Sequence, residues 1–501
     1  MYFPPIEKAK KILKEGDYKV IPICCEILSD IKTPIEVLKI LKNNSKHCFI
    51  LESMEDLENW GGRYTILGFD PTLEITCEDN FLNIKGYKNL SKKTNNPKKY
   101  INQIIDENRS PKIIELPPFT GGLVGYFAYD YIKYVEPSLK LKENLFKNNN
   151  EGDESFKDFD LMLFDKVIVF DNLKQKIFLI VNIKSDNIEK EYEVGKTQLM
   201  ELKDIIINGM PINGNDNRLK LLDDFKPLFS KEEFSKIVKK AKFHIKEGDI
   251  FQVVLSNPLS CKIKGSLLDT YRILRTTNPS PYMFYFSSDD IEIAGASPET
   301  LVKLQDDNLY TFPLAGTRPR GKNKKEDDEL EKDLLSDEKE LAEHNMLVDL
   351  GRNDLGKVSE FGSINVEKYL TIERFSHVMH IGSTVSGKLK EGKNALDVID
   401  AILPAGTLSG APKIRACEII NELEDNKRGI YGGGAIGYIG LSGNMDTCIA
   451  IRIAFSKKNK VFIRSGAGIV ADSVPELEYD ESINKAKAVL NALKLAEDIN
   501  L

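Results

Sequence analysis

Between residues 282 and 312, four β-rich runs (282 to 287, 291 to 294, 300 to 304 and 309 to 312) follow one another across gaps of three to five residues. A parallel pair of strands needs a crossover of about a dozen residues or more, so connections this short force antiparallel neighbours. Further strands are expected at 249–256, 433–440, 446–455 and 460–465, and helices at 231–247, 266–276, 337–350, 395–402, 411–424 and 475–497. The expected fold class is therefore α/β in content and α+β in arrangement, with much antiparallel sheet.

The first third adds strand-like runs at 47–53, 166–172 and 176–183, the last two close enough to form a hairpin. Polar, low-complexity stretches at 89–99 and 142–155 read as loops. A helical segment at 187–208 leads into "NGMPINGNDN" (208–217), a linker composition, so the expected division is an N-terminal region 1–217 and a second domain 218–501.

Hydrophobic residues at 41% and charged residues at 29% of 501 are the balance of an ordinary globular protein. A net charge of -7 argues against a nucleic-acid binder, which needs a dominant basic face. The opening "MYFPPIEKAKKILKEG" has no apolar signal region, and no apolar run is long enough to span a bilayer, so a cytoplasmic location without a membrane partner is expected. The seven cysteines are odd in number and form no C-x-x-C pair, which supports neither a disulfide framework nor a zinc knuckle.

"KELAEHNMLVDLGRNDLG" (339–356) reads as a helix ending at Gly351, in which Glu340 and Glu343 share a line with Leu347 and Leu350. Acids normally take the wet face. A second pair, Glu478 and Glu481, follows a helix start marked by Ser473, Pro475 and Glu476, with Lys485 one turn beyond. Either pair alone is an ordinary solvated helix face. Two Glu-x-x-Glu pairs together suit one hard divalent cation, which takes one or two protein carboxylates and keeps room for water and an anionic ligand. Just before the second pair, the N–H groups of Gly466, Ala467 and Gly468 can converge on an anion. Arg318, Lys413 and Arg452, with Thr317 and Thr407, can bind further carboxylates, and His380 can serve as acid or base. The formal G-x-G-x-x-G at 432–437 lacks a following helix and a ribose-binding acid, which argues against a dinucleotide site.

At this point "FQVVLS" (251–256), "GASPETL" (295–301), "PLAGTRPRG" (313–321), the 339–356 segment, "LPAGTLSGAPKIRA" (403–416) and "SGAGIVADSVPELEYDESINKA" (465–486) resemble the chorismate-utilising enzymes over nearly all of 228–495. The resemblance implies large antiparallel sheets packed as a sandwich with surrounding helices. It implies Mg²⁺ held by Glu343 and Glu481, with Glu340 and Glu478 as inner partners. It places chorismate against Gly316, Thr317, Tyr431, Arg452 and the Gly466, Ala467 and Gly468 backbone. Gln252, Glu340, His380 and Thr407 fall at catalytic positions, with Glu340 expected to protonate the departing hydroxyl. Ser482 stands where the family commonly has Thr.

Within the family the likeness is to the large subunits that make anthranilate, lyases of tryptophan biosynthesis. Members that add water carry a base Lys at the position of Gln252, and members that make 4-amino-4-deoxychorismate carry a Lys at the position of Ala315. Attack of ammonia at C2 of chorismate is the expected chemistry, through 2-amino-2-deoxyisochorismate to anthranilate and pyruvate. The 4-amino isomer is the alternative product. "ILESMEDLENWGGRYTILG" (50–68) and "NPSPYMFY" (278–285) resemble the family's tryptophan inhibitor pocket, whose contacts carry over to Glu52, Ser53, Arg63, Pro281, Tyr282 and Met283, with Tyr438 and Cys448. A tryptophan-binding regulatory protein without catalysis is the alternative of another class, opposed by the four glutamates, Gln252, His380 and Arg452. No cysteine sits in a G-x-C-x-G elbow, so the ammonia is expected from a separate glutamine amidotransferase subunit.

Overall fold

A computed structural model describes residues 2–54, 60–141, 156–212, 217–374, 378–424 and 426–498. The polar stretch 142–155 and part of the 208–217 linker lie outside these residues.

Among the described residues, two antiparallel sheets make the body of the protein. The larger has fourteen strands, running from Tyr2–Phe3 through Val20–Leu28, Lys176–Lys184, Lys166–Asp171, Tyr64–Phe69, Cys48–Glu52, Tyr282–Ser287, Ile291–Ser297, Ile453–Lys457 and Lys460–Ile469 to Gln252–Lys264, with short pairings beyond. The second has twelve, centred on Thr300–Gln305, Met445–Ile449, Ala435–Gly440, Gly122–Phe127 and Phe159–Phe164, and ends at Val378–Lys388 and Leu314–Pro319. Their inner faces meet in one apolar core, where Phe49 packs edge-on against Phe164 with ring centroids 4.7 Å apart and Tyr126 meets Phe286 at 6.4 Å.

The local signals account for many elements. The hairpin 166–184 forms with Asp171 opposite Lys176, and its strands are rich in buried Ile, Val, Leu and Phe. Ser230 and Glu233 close a reciprocal capping box at the start of Lys231–Lys246. Two expectations change. The helix Glu338–Gly356 continues through Gly351, because that glycine packs its bare face near Thr311 and Pro313 without leaving helical geometry. The expected strand 446–455 is two strands, Met445–Ile449 and Ile453–Lys457, broken at Arg452, whose φ of 52° takes it out of strand geometry.

Residue 217 separates regions of different composition and does not separate sheets. Glu52 pairs with Met283 in the larger sheet, and Gly125 pairs with Gly437 in the smaller. Both halves of the chain thus build both sheets.

Candidate active site

Asp337 caps the helix Glu338–Gly356 by accepting hydrogen bonds from the Lys339 and Glu340 backbone N–H groups at 3.1 and 3.2 Å. His344, Leu347 and Val348 turn inward from this helix, and Glu340 and Glu343 sit partly exposed at its edge. The helix Pro475–Asp498 buries Ser482, Ala486 and Val489 and presents Glu478 and Glu481. Burial, then the charge of Glu340, pushes the Glu343 carboxyl up, with Glu481 adding and Lys339 and Lys485 opposing. Burial likewise pushes Glu478 up, against the Ser473 hydroxyl and with Glu481. Acids of two distant segments therefore lie in one another's field, Glu343 with Glu340 and Glu481, and Glu478 with Glu481.

Lys485 reaches Glu481 at 2.6 Å, the only cation bonded directly to these carboxylates apart from Arg318, 3.8 Å from Glu340, among the described residues. A repelling, partly buried set of carboxylates is a suitable donor set for a hard cation. Among the described residues no three His, Cys, Asp or Glu side chains close a cage. Any cation there would complete its shell with water and ligand.

The adjoining wall comes from the strands Leu314–Pro319 and Val378–Lys388, whose pairing shifts register between Ala315 and Arg318. At that irregularity Gly316 adopts φ 66°, and a Cβ there would lie 2.9 Å from Leu334 and 3.3 Å from the Glu340 carboxylate, so a glycine is needed. The Gly316 carbonyl accepts from His380 Nδ1 at 2.8 Å, with the Thr317 hydroxyl 3.1 Å from the same nitrogen. A carbonyl cannot donate, so Nδ1 carries the hydrogen and Nε2 is the basic nitrogen. Burial lowers the His380 pKa, helped by Arg452, and keeps the ring neutral.

Sequence reasoning missed Glu299. It follows Pro298 at the end of Ile291–Ser297, and the next strand begins with a register shift at Thr300. Thr407, in the turn Gly406–Leu408, donates to Glu299 Oε1 at 3.0 Å. Burial pushes the Glu299 carboxyl up to about 7, with the Thr407 hydrogen bond, Arg452 and Lys485 opposing. An acid that keeps its proton near neutrality is suited to general acid catalysis. Its signal in the sequence was its place in "GASPETL", which carries no hint of burial.

Other expected residues separate into two groups. Gln252 pairs with Ala411 and lies against Gly468, where a Cβ would come within 2.5 Å of its amide nitrogen. Tyr431 is buried beneath Arg464, whose guanidinium lies 5.4 Å from the ring centroid, and packs on Phe156 at 5.3 Å. Gly466, Ala467 and Gly468 form strand, paired with Ser256, Leu255 and Val254, and not the loop cradle expected from the glycines. Arg318 is turned away to Asp333 and Asp337 at 2.6 and 2.9 Å. Lys413 is spent on Asp354 at 2.6 Å and the Ile402 carbonyl at 2.7 Å. Neither serves as an open carboxylate-binding cation.

A separate cavity of about 390 Å³ lies between the sheets. Glu52, Ser53, Pro281, Tyr282, Met283, Tyr438 and Cys448 all line it. Arg63 does not: its guanidinium grips Asp171 at 2.8 Å, outside the lining. Glu52 is already bonded to Tyr271 and Arg275. The cavity holds a further, half-buried acid, Asp446, whose carboxyl is pushed up by desolvation and accepts from the Tyr282 hydroxyl at 2.8 Å. Tyr282 in turn accepts from the hydroxyl of Thr300, the neighbour of Glu299, at 3.0 Å.

Residues 46–491 match a protein family described as chorismate binding enzyme. The whole chain is 44% identical over 510 residues to all of anthranilate synthase component 1 from Acetivibrio thermocellus. It is 44% identical over 497 residues to the protein of the same name from Aquifex aeolicus, covering 98% of each. The crystal structure of anthranilate synthase component I from Streptococcus pneumoniae superimposes with a TM-score of 0.75 at 38% identity, over 92% of this chain and 98% of that one. The isochorismate synthase MenF from Escherichia coli shares the fold, with a TM-score of 0.68 at 19% identity over 97% and 98%.

Proposed function

The chain belongs to the chorismate-binding enzyme family, and from that premise we infer that it converts chorismate and ammonia to anthranilate and pyruvate, the committed step of tryptophan biosynthesis. The observation that carries this choice within the family is Gln252, whose amide lies against Gly468. An amide is not a base at neutral pH and cannot activate water, whereas ammonia is itself the nucleophile. Ala315, in place of an amine that would attack the ring, leaves ammonia to attack C2 directly.

Chorismate is held by Gly316, Thr317 and Arg452, with Tyr431 forming part of the wall. Ammonia bonds to C2 as the C4–O bond breaks, and the departing hydroxyl takes the proton of Glu299 and leaves as water. This role was expected of Glu340. Glu299 suits it better because burial keeps it protonated, while Glu340 belongs with the carboxylate set. The new ammonium gives up a proton, which restores Glu299. In the second step His380 Nε2 takes the C2 proton as the bond between ring carbon C3 and the ether oxygen breaks, which leaves the aromatic ring, and the departing enolpyruvate takes that proton at its methylene carbon to become pyruvate. Glu343 and Glu481, with Glu340 and Glu478 behind them, would hold Mg²⁺, which when bound would offset the charge of the ring carboxylate.

The name component 1 carried by the relatives points to a second component, and a glutamine amidotransferase supplying ammonia is the partner proposed. The intersheet cavity is proposed to bind tryptophan, with Ser53 and a buried acid for its ammonium and Pro281 and Met283 against the indole. No helix among the described residues is long and apolar enough to cross a membrane; a cytoplasmic location remains the reading proposed.

One incubation tests the function. Purified protein with chorismate, Mg²⁺ and ammonium at alkaline pH is expected to give anthranilate and pyruvate in equal amounts, without glutamine. Accumulation of isochorismate or of the 4-amino isomer would reassign the reaction.

A further inference from the structure

The turn that carries Tyr431 is anchored by a residue from the other half of the chain. Asp130 lies in the turn Tyr129–Tyr134, directly after the strand Gly122–Phe127, and is 4% exposed. One carboxylate oxygen accepts the Gly429 N–H at 2.6 Å and the other accepts the Arg428 N–H at 3.3 Å. The neighbouring Tyr129 N–H donates back to the Gly429 carbonyl at 3.1 Å.

Gly429 sits at φ 64° and ψ -165°, a conformation essentially reserved to glycine. A Cβ on it would come within 3.1 Å of the Tyr431 ring. The backbone that Asp130 holds therefore lies directly against that ring. Arg428, held at the same point, reaches the Leu408 carbonyl at 2.6 Å, next to Thr407.

We propose that Asp130 is a positioning residue for substrate binding: its carboxylate, by fixing the Arg428–Gly429 backbone, sets the place of the Tyr431 ring and of the Thr407 turn. This rests on the reading that Tyr431 and Thr407 line the chorismate site. Buried carboxylates that accept backbone N–H groups are strong, directional restraints. The N-terminal part of the chain thus shapes the substrate wall without touching substrate.

Asp130→Asn keeps the volume and one acceptor but sets an N–H₂ group against a backbone N–H. With the full-length protein and free ammonia, it is expected to raise KM for chorismate at least tenfold with kcat within threefold of wild type. Loss of folded molecules lowers apparent kcat and leaves KM alone, so the split separates positioning from a merely structural role. Tyr129→Phe, equally buried in the same turn, removes only a bond to the Cys417 thiol and is expected to leave KM unchanged. Should Asp130→Asn yield no folded protein, Gly429→Ala probes the link from its other end and is expected to raise KM likewise. An unchanged KM in Asp130→Asn or Gly429→Ala, or an equal rise in Tyr129→Phe, overturns the proposal and leaves the function standing. A wild-type protein with no turnover of chorismate overturns both.

Discussion

The Thr407 hydroxyl donates to Oε1 of Glu299 across 3.0 Å. The bond occupies one carboxyl oxygen and leaves the other to carry the proton, so the acid is oriented as well as protonated. Arg452 acts on Glu299 and on His380 together, so the two proton-handling groups share the field of one cation.

Replacing Glu299 by Gln keeps shape and hydrogen bonding but removes the proton donor. The expected result is a fall in kcat of about a hundredfold to ten-thousandfold with KM for chorismate nearly unchanged. Steady-state anthranilate fluorescence measures both. A variant with wild-type kcat would return the acid role to Glu340.

The same carboxyl makes stability depend on pH. Its folded pKa of about 7 lies above the ordinary value of 4.5. Between these values the unfolded chain has lost the proton and the folded chain keeps it, so stability is lost as pH rises through the window. The slope is below about 1.4 kcal/mol per pH unit, because the side chain is partly accessible from the cleft. Melting temperatures in EDTA from pH 5 to 8 should therefore fall faster for wild type than for Glu299→Gln. A constant difference between the two curves would contradict the raised pKa.

Glu343→Ala and Glu481→Ala should each abolish turnover at any practical Mg²⁺ concentration while leaving the far-ultraviolet circular dichroism unchanged. Calorimetric titration with Mg²⁺ and chorismate, which does not depend on turnover, should show weakened binding of the metal. Full activity of the wild type in EDTA would remove the cation from the mechanism.

Ser53→Ala and Arg63→Ala make a contrasting pair. Removing one hydrogen bond to a charged ammonium costs roughly 1.5 to 3 kcal/mol, or about one to two decades of affinity. Ser53→Ala should thus raise the tryptophan concentration for half inhibition at least tenfold, with turnover in its absence preserved. Arg63→Ala should leave inhibition unaltered, since its partner is Asp171, outside the cavity. Loss of inhibition in Arg63→Ala would show that Arg63 reaches the inhibitor.

What the sequence by itself determined is short in range. The 166–184 hairpin, the capped helix at 231 and the i, i+3 spacing of Glu340 with Glu343 and of Glu478 with Glu481 all follow from neighbours within a few residues, where turn chemistry, capping and helical periodicity act. The long motifs also told the family, which full-length identity bears out. Tertiary structure alone decided the rest. Glu52 meets Met283 and Asp130 meets Gly429 across hundreds of residues, and no local pattern encodes such pairings. Arg63, Arg318 and Lys413 look like free cations in the sequence, but each is taken by an acid that only folding brings near. Glu299 owes its suitability as an acid to burial, a property of the surroundings that the residue acquires when the two sheets and the 406–408 turn close around it.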